Sequence, residues 1–399
     1  MHRRDFPKMA AGESAMAACP LKGSALACSR EPGMNHSLAP GPRIEVALAG
    51  VYRAASIQAV KSAVRACAEA ATDFSWLSRG DTVLIKPVIN SGNPYPATTS
   101  PVATAAMVEL LREKGAGRVI VGDMSGVGDV RFSSEGLSGS SRRLMESSGM
   151  ADAVKAAGAE LRPFEEDGWG SFHEEIPAAG AHWNRGIMMP DILREVQHIV
   201  LMPRCGRHVL AGSTLGLKAA VGYWRHDTRL EYHRNASTFH EKTAEGNTVE
   251  SLRMKQRLVL TLADKVLAAF GPDEGYVHQP ETGLVIASES VVAHDMVSLA
   301  WLLENRRNMP ESERDGFMDT SKIVPRVGNH VAVTLLGGIR QALASEKMVK
   351  DPLNAVWDDP VLKRAYEIFG GVPGVILEAG DAVPEELKRR LGVMTALPA

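Results

Sequence analysis

Residues 201–234 read LMPRCGRHVLAGSTLGLKAAVGYWRHDTRLEYHR, a stretch in which basic, hydroxyl-bearing and glycine residues crowd together after an apolar run. Arg204 and His208 fall in one loop, Ser213 and Thr214 in a glycine-rich turn, and Lys218 just beyond it. Guanidinium, ammonium and hydroxyl groups are all donors, so the set suits a carboxylate or a phosphate. A histidine held near an ammonium keeps a low pKa and stays neutral, which lets it exchange a proton. His208 and Lys218 are therefore the expected catalytic pair, with Arg204, Ser213 and Thr214 binding the ligand. Gly212 and Gly216 suggest a turn whose backbone N–H groups cradle the anion. The turn is no Walker sequence, because Lys218 follows Gly216 by two positions without the Gly-Lys-Ser/Thr arrangement.

A second set of groups stands earlier in the chain. Lys86 ends the apolar run DTVLIKP, Thr98, Thr99 and Ser100 precede Pro101, and Asp123 and Ser125 follow RVIVG. Ligands of open parallel sheets bind outside the carboxyl ends of the strands, and a helix start adds about half a positive charge. Lys86, Thr98, Thr99, Ser100 and Ser125 are thus expected to bind the ligand, and Asp123 to join the catalytic groups. His226, His233 and His240 recur every seven residues and would share a face of one continuous helix. That is no zinc signature, and no metal ligand set is expected. Cys19, Cys28, Cys67 and Cys205 contain no CxxC pair, which argues against a zinc ribbon or an iron–sulfur cluster. Cys205, beside Arg204, reads either as a buried thiol or as a nucleophile. Asp295, next to His294, reads either as the orienter of a base or as a carboxylate placed by a helix dipole.

These groups need a scaffold. Residues 43–50, 81–87, 118–123, 198–202 and 283–290 read as strands, and 57–71, 101–113, 142–157 and 291–307 as helices. Strand and helix alternate, so the fold class is α/β with a mostly parallel sheet, in two lobes with a cleft between them. The expected divisions are a leader at 1–42, an N-terminal α/β lobe at 43–195, and a C-terminal α/β lobe with a helical tail at 196–399. Residues 124–141 suggest a flap over the site. A net charge of −2 excludes binding nucleic acid through bulk positive charge, and no apolar run is long enough for a membrane span. The paired arginines near the start resemble a twin-arginine export signal, which makes a periplasmic location the alternative to a cytoplasmic one.

The blocks VLIKPVIN…ATTSPVATAAMVELLREKGAGRVIVGDMSG, IVLMPRCGRHVLAGSTLGLKAAVG and GPDEG…TGLVIASESVVAHDMVSLAWL resemble, in order and spacing, the domain of unknown function 362 family, over residues 43–303. The family's Lys-Pro-Asn is Lys86-Pro87-Val88 here, and its Lys-Thr-His is Gly206-Arg207-His208: the histidine is kept and the lysine is not. Members of that family often carry a twin-arginine leader or a ferredoxin-like module, which implies a redox partner protein. His208, Ala211-Gly212-Ser213 and Lys218 are also similar in spacing to the nickel-pincer lactate racemase family, where the lysine holds the cofactor and the histidine moves the proton. The cofactor is otherwise unknown. The readings that follow are an enzyme of proton-transfer or redox type acting on a small anion, a non-catalytic ligand- or cofactor-binding protein serving a redox partner, and a racemase-like isomerase.

Overall fold

The computed structural model describes residues 39–208, 211–234, 236–269, 271–314 and 355–398, so most of the expected leader lies outside the described residues. Eight strands make the main sheet: β1 (Pro40–Tyr52), β2 (Thr82–Pro87), β3 (Arg118–Val121), β4 (Glu160–Leu161), β5 (His198–Met202), β6 (Gln256–Ala263), β7 (Thr282–Ser288) and β8 (Val372–Ala379). Their order across the sheet is β8-β1-β7-β6-β5-β2-β3-β4, and only β7 runs antiparallel to the rest. The mixed α/β, mostly parallel architecture follows from buried, β-branched strand sequences separated by helices. β5, from the expected C-terminal lobe, sits between β2 and β6, so segments 43–195 and 196–399 share one sheet.

Side chains alternate between the two faces. Val83 and Ile85 of β2 pack under helices α1 (Ile57–Ala71) and α2 (Pro101–Glu113), while Leu84 points into a second core with Phe164, Ile199, Tyr223 and Trp224. A third core lies under the long helix Val291–Arg307. The helix starts are set by side-chain caps: Ser56, Ser100 and Ser290 each accept an N–H from three residues on. Lys86, two positions beyond Leu84, shares Leu84's face, and this is how the sheet aims it.

Four expectations need correction. The helix expected at 142–157 is two, Ser141–Ser147 and Met150–Ala156, because Gly149 takes a left-handed φ of 78° between them. The flap at 124–141 contains a hairpin, Arg131–Ser133 with Gly136–Ser138. The seven-residue histidine spacing does not run along one helix: His226 and His233 lie on His226–Arg234, and His240 on Phe239–Glu245, with a 3-10 turn between. The tail is not only helical. Helices Pro360–Ile368 and Glu385–Thr395 flank the edge strand β8, whose parallel partner is β1 at the other end of the chain. The expected tail between 315 and 354 lies outside the described residues.

Candidate functional site

A cavity of about 270 Å³ opens beyond the carboxyl ends of β2 and β3, near the small end of ligand-pocket sizes. Lys86, Asp123, His208, Thr214 and Lys218 all line it, joined by Asn90, Asp129, Arg229, His233 and Asp273. Two separate segments, with Lys86 and Lys218 132 positions apart, therefore meet in one pocket.

Lys86 enters from β2 and is held on three sides. Its Nζ lies 3.0 Å from Asp123 Oδ1, donates to the Ala219 carbonyl at 2.6 Å, and sits 5.3 Å above the Tyr223 ring. Asp123 Oδ2 accepts the Ile89 N–H at 2.7 Å. Burial pushes the Lys86 ammonium toward neutrality and Asp123 opposes this. Gly222 makes the close packing possible: a Cβ there would stand 2.0 Å from Asp123 Oδ1 and 2.1 Å from Lys86 Nζ. Asp123 thus secures Lys86 rather than standing free as a base.

Arg229 is 3% exposed and donates from each of its three nitrogens to carbonyl oxygens: Nε to Trp224, Nη1 to Ser125, and Nη2 to Met124 and Gly222. Arg204, 1% exposed, reaches Thr214 Oγ1 at 3.3 Å and the Pro96 carbonyl at 3.4 Å. Neither guanidinium has a carboxylate partner among the described residues, and burial lowers both to about 10. Half-buried Lys218 has no hydrogen bond or ion pair among the described residues. Burial, followed by the charges of Arg204, Arg229 and Lys86, brings its pKa down to about 7.

Two histidines complete the wall. The His208 ring accepts the Ala211 N–H on Nδ1 at 3.2 Å, which leaves the proton of the neutral ring on Nε2. Burial, then Lys218 and Arg204, hold His208 well below the ordinary histidine value. His233 shows the opposite tautomer: Nδ1 lies 2.7 Å from the Arg229 carbonyl, so it carries the proton and Nε2 keeps its lone pair. Burial, then Lys218, lower His233 to about 3. The cavity therefore holds one neutral imidazole that donates from Nε2 and one that accepts there.

The glycine-rich turn does cradle an anion, but the anion is Asp295. Its two carboxylate oxygens accept the N–H groups of Gly216 and Leu217 at 2.7 Å each, and His294 Nδ1 lies 2.9 Å from Oδ1. Of the two readings of Asp295, neither fits as stated. It caps the short helix Gly216–Ala219 that carries Lys218, rather than its own helix or a base.

Other expected groups stand apart from the cavity. Thr98 Oγ1 donates to the Asn93 carbonyl, Thr99 Oγ1 accepts the Val88 N–H at 2.8 Å and donates to the Met202 carbonyl at 2.7 Å, and Ser100 caps α2. All three fasten the loop after β2 onto its neighbours. Ser125 gives its N–H to Ser141 Oγ at 2.8 Å, and its side chain does not line the pocket. Ser213 is buried beside Asp295 and Asp359. Cys205 donates to the Ser298 carbonyl at 3.4 Å, and burial pushes its thiol up, the opposite of a nucleophile's environment. Among the described residues no three His, Cys, Asp or Glu side chains form a metal-holding group. No helix among them is long and apolar enough to cross a membrane.

No curated protein matches the chain. Among solved structures it is similar to the lactate racemase apoprotein from Thermoanaerobacterium thermosaccharolyticum, at 14% identity and a TM-score of 0.39 over 62% of this chain and 54% of that one. It is also similar to a structural-genomics target protein from Thermotoga maritima, at 11% identity and a TM-score of 0.33 over 58% and 54%. The chain thus spans about half the length of each (54%). A family described only as a domain of unknown function matches residues 83–300, from β2 into the long helix, a span that contains every cavity group named above. The chain belongs to the domain of unknown function 362 (DUF362) family.

Proposed function

We propose that the cavity binds a small carboxylate- or phosphate-bearing molecule and that the protein moves a proton on it. The observation that carries this reading is the crowding of cations: Lys86, Lys218 and Arg229 line one pocket, with Arg204 behind Thr214, and among the described residues Lys86 alone of the four has a carboxylate within ion-pair distance, although Asp129 and Asp273 also line the cavity. An uncompensated buried charge costs several kcal/mol, and a bound anion offsets that cost. Lys218 meets the negative group. His233 Nε2, with its lone pair, takes a proton, and His208 Nε2–H gives one, so deprotonation and reprotonation use separate groups.

The test is proton exchange in D2O, followed by NMR, over a panel of 2-hydroxy, 2-amino and 2-oxo carboxylates and their phosphate esters. Exchange at the carbon beside the carboxylate is expected for at least one of them, and its loss in His208→Ala and His233→Ala with unchanged melting temperature. Binding of these anions without exchange would favour a carrier serving a redox partner instead. A second reading, in which Lys218 anchors a nickel-pincer cofactor, draws on the same unpaired amine. It requires nickel and a covalent mass increase in the purified protein.

A further inference from the structure

We infer that Lys218 forms an imine with the carbonyl group of a small 2-oxo acid bound in this cavity. The inference rests on the proposed anion site and assigns it a substrate class and a covalent step.

The two lysines of the pocket differ in one decisive way. Lys86 is occupied by Asp123, the Ala219 carbonyl and the Tyr223 ring, so its nitrogen is committed to the wall of the pocket. Among the described residues Lys218 has no such partner, while its backbone is pinned by the bonds from Gly216 and Leu217 to Asp295. A lysine that is desolvated and placed near other cations is the usual form of an amine nucleophile. At neutral pH about half of Lys218 is the free amine. The same cations that lower its pKa attract a carboxylate, so the pocket recruits an acid and attacks it with an amine. A carbonyl next to the carboxylate satisfies both demands.

The chemistry balances without a redox partner. The Lys218 lone pair forms the N–C bond as the C=O π pair moves to oxygen, which takes a proton. The nitrogen releases a proton, the oxygen takes a second and leaves as water, and the nitrogen lone pair closes the C=N bond. One amine, one carbonyl and one proton thus give one iminium and one water. His208, His233 and Lys218 line the same cavity, and the charge of Lys218 adds to burial in keeping both rings neutral. His233 Nε2 accepts the nitrogen's proton, and His208 Nε2–H serves the oxygen. The resulting iminium withdraws electrons from the neighbouring carbon and so makes the proposed proton transfer easier.

Reductive trapping tests this. The full chain is incubated at pH 7.5 with sodium cyanoborohydride and pyruvate, glyoxylate or 2-oxobutyrate, then analysed by intact mass and peptide mapping, with acetone as the uncharged comparison. The expected result is one reduced adduct per chain at Lys218, formed at least about tenfold faster from an oxo acid than from acetone because of the charge-assisted carboxylate contacts. Lys218→Arg should abolish it while keeping the fold, as checked by melting temperature. Calorimetry with the same oxo acids separates the two claims. Oxo-acid binding without an adduct at Lys218 overturns the imine and leaves the anion site standing, whereas equal trapping from acetone overturns the carboxylate contacts and with them the oxo-acid assignment. No oxo-acid binding at all overturns both.

Discussion

Replacing Lys218 by methionine should make the ligand-free protein more stable, and by an amount that depends on pH. In the folded protein the Lys218 pKa falls from 10.5 to about 7, a difference equivalent to about 5 kcal/mol against its charged form. Water entering the open cavity reduces the net penalty to roughly 2–3 kcal/mol. The sign follows from proton linkage. Between pH 7 and 10.5 the unfolded chain holds a proton at Lys218 that the folded protein has released, so stability rises with pH across that window. Below pH 7 both states are protonated and the whole penalty is present. Methionine fills a similar volume without the charge. Calorimetric melting at pH 6 should therefore show Lys218→Met above the parent by roughly 2–6 °C. The gap should shrink by more than half by pH 9, and the variant should lose anion binding. A variant less stable than the parent at pH 6, or a gap that does not change from pH 6 to 10, would mean that the ammonium is compensated and that the reasoning from unpaired charge fails.

Asp123→Asn should cost about 3 kcal/mol in urea unfolding, because it leaves the Lys86 ammonium buried without its carboxylate, and the loss should be smaller in a Lys86→Met background. Asp295→Asn should cost about 2 kcal/mol by weakening two charge-assisted N–H bonds. It should also raise the Kd for inorganic phosphate several-fold in calorimetry as the Lys218 helix loses its anchor; an unchanged Kd would separate Asp295 from the site.

Some of this was readable before any coordinates, and the reasons are local. α1, α2 and the helix Val291–Arg307 announce themselves by a serine cap followed by apolar residues, and α2 adds proline at its first turn. β2, β3 and β7 are short apolar runs between glycines, prolines and polar residues. Five of the cavity's groups, Lys86, Asp123, His208, Thr214 and Lys218, were visible because parallel sheets present ligands at their strand ends. Long-range partners hid the rest. The N–H groups of the glycine-rich turn look open to a ligand until Asp295, 79 positions away, is seen to occupy them. Thr98, Thr99 and Ser100 have the composition of an anion site and the bonding of a loop anchor. Arg225, Arg229 and Arg234, with the histidines of the stretch HDTRLEYHR, suggest an anion site as a group, but the mostly polar helix does not show that Arg229 and His233 are the ones that line the cavity. β8 pairs with the opposite end of the chain, a contact that no local pattern encodes.

The two cavity lysines show why residue type alone underdetermines the chemistry. Each is a primary amine on the same cavity, and each is pushed toward neutrality by burial. At Lys86 a carboxylate 3.0 Å away opposes that push, and the ammonium becomes part of the wall. At Lys218 the charges of Arg204, Arg229 and Lys86 itself reinforce the effect of burial, and the carboxylate of Asp273 opposes it only in part. Asp123 therefore acts on Lys218 indirectly: by holding Lys86 in its charged state, it maintains one of the fields that keep Lys218 reactive. Loss of Asp123 should consequently change two things at once, the stability of the fold through Lys86 and the titration of an amine on the other side of the pocket. An Asp123→Asn protein in which Lys218 is trapped by oxo acids with an unaltered pH profile would show that the two lysines are electrostatically independent, and the coupling argued here would have to be abandoned.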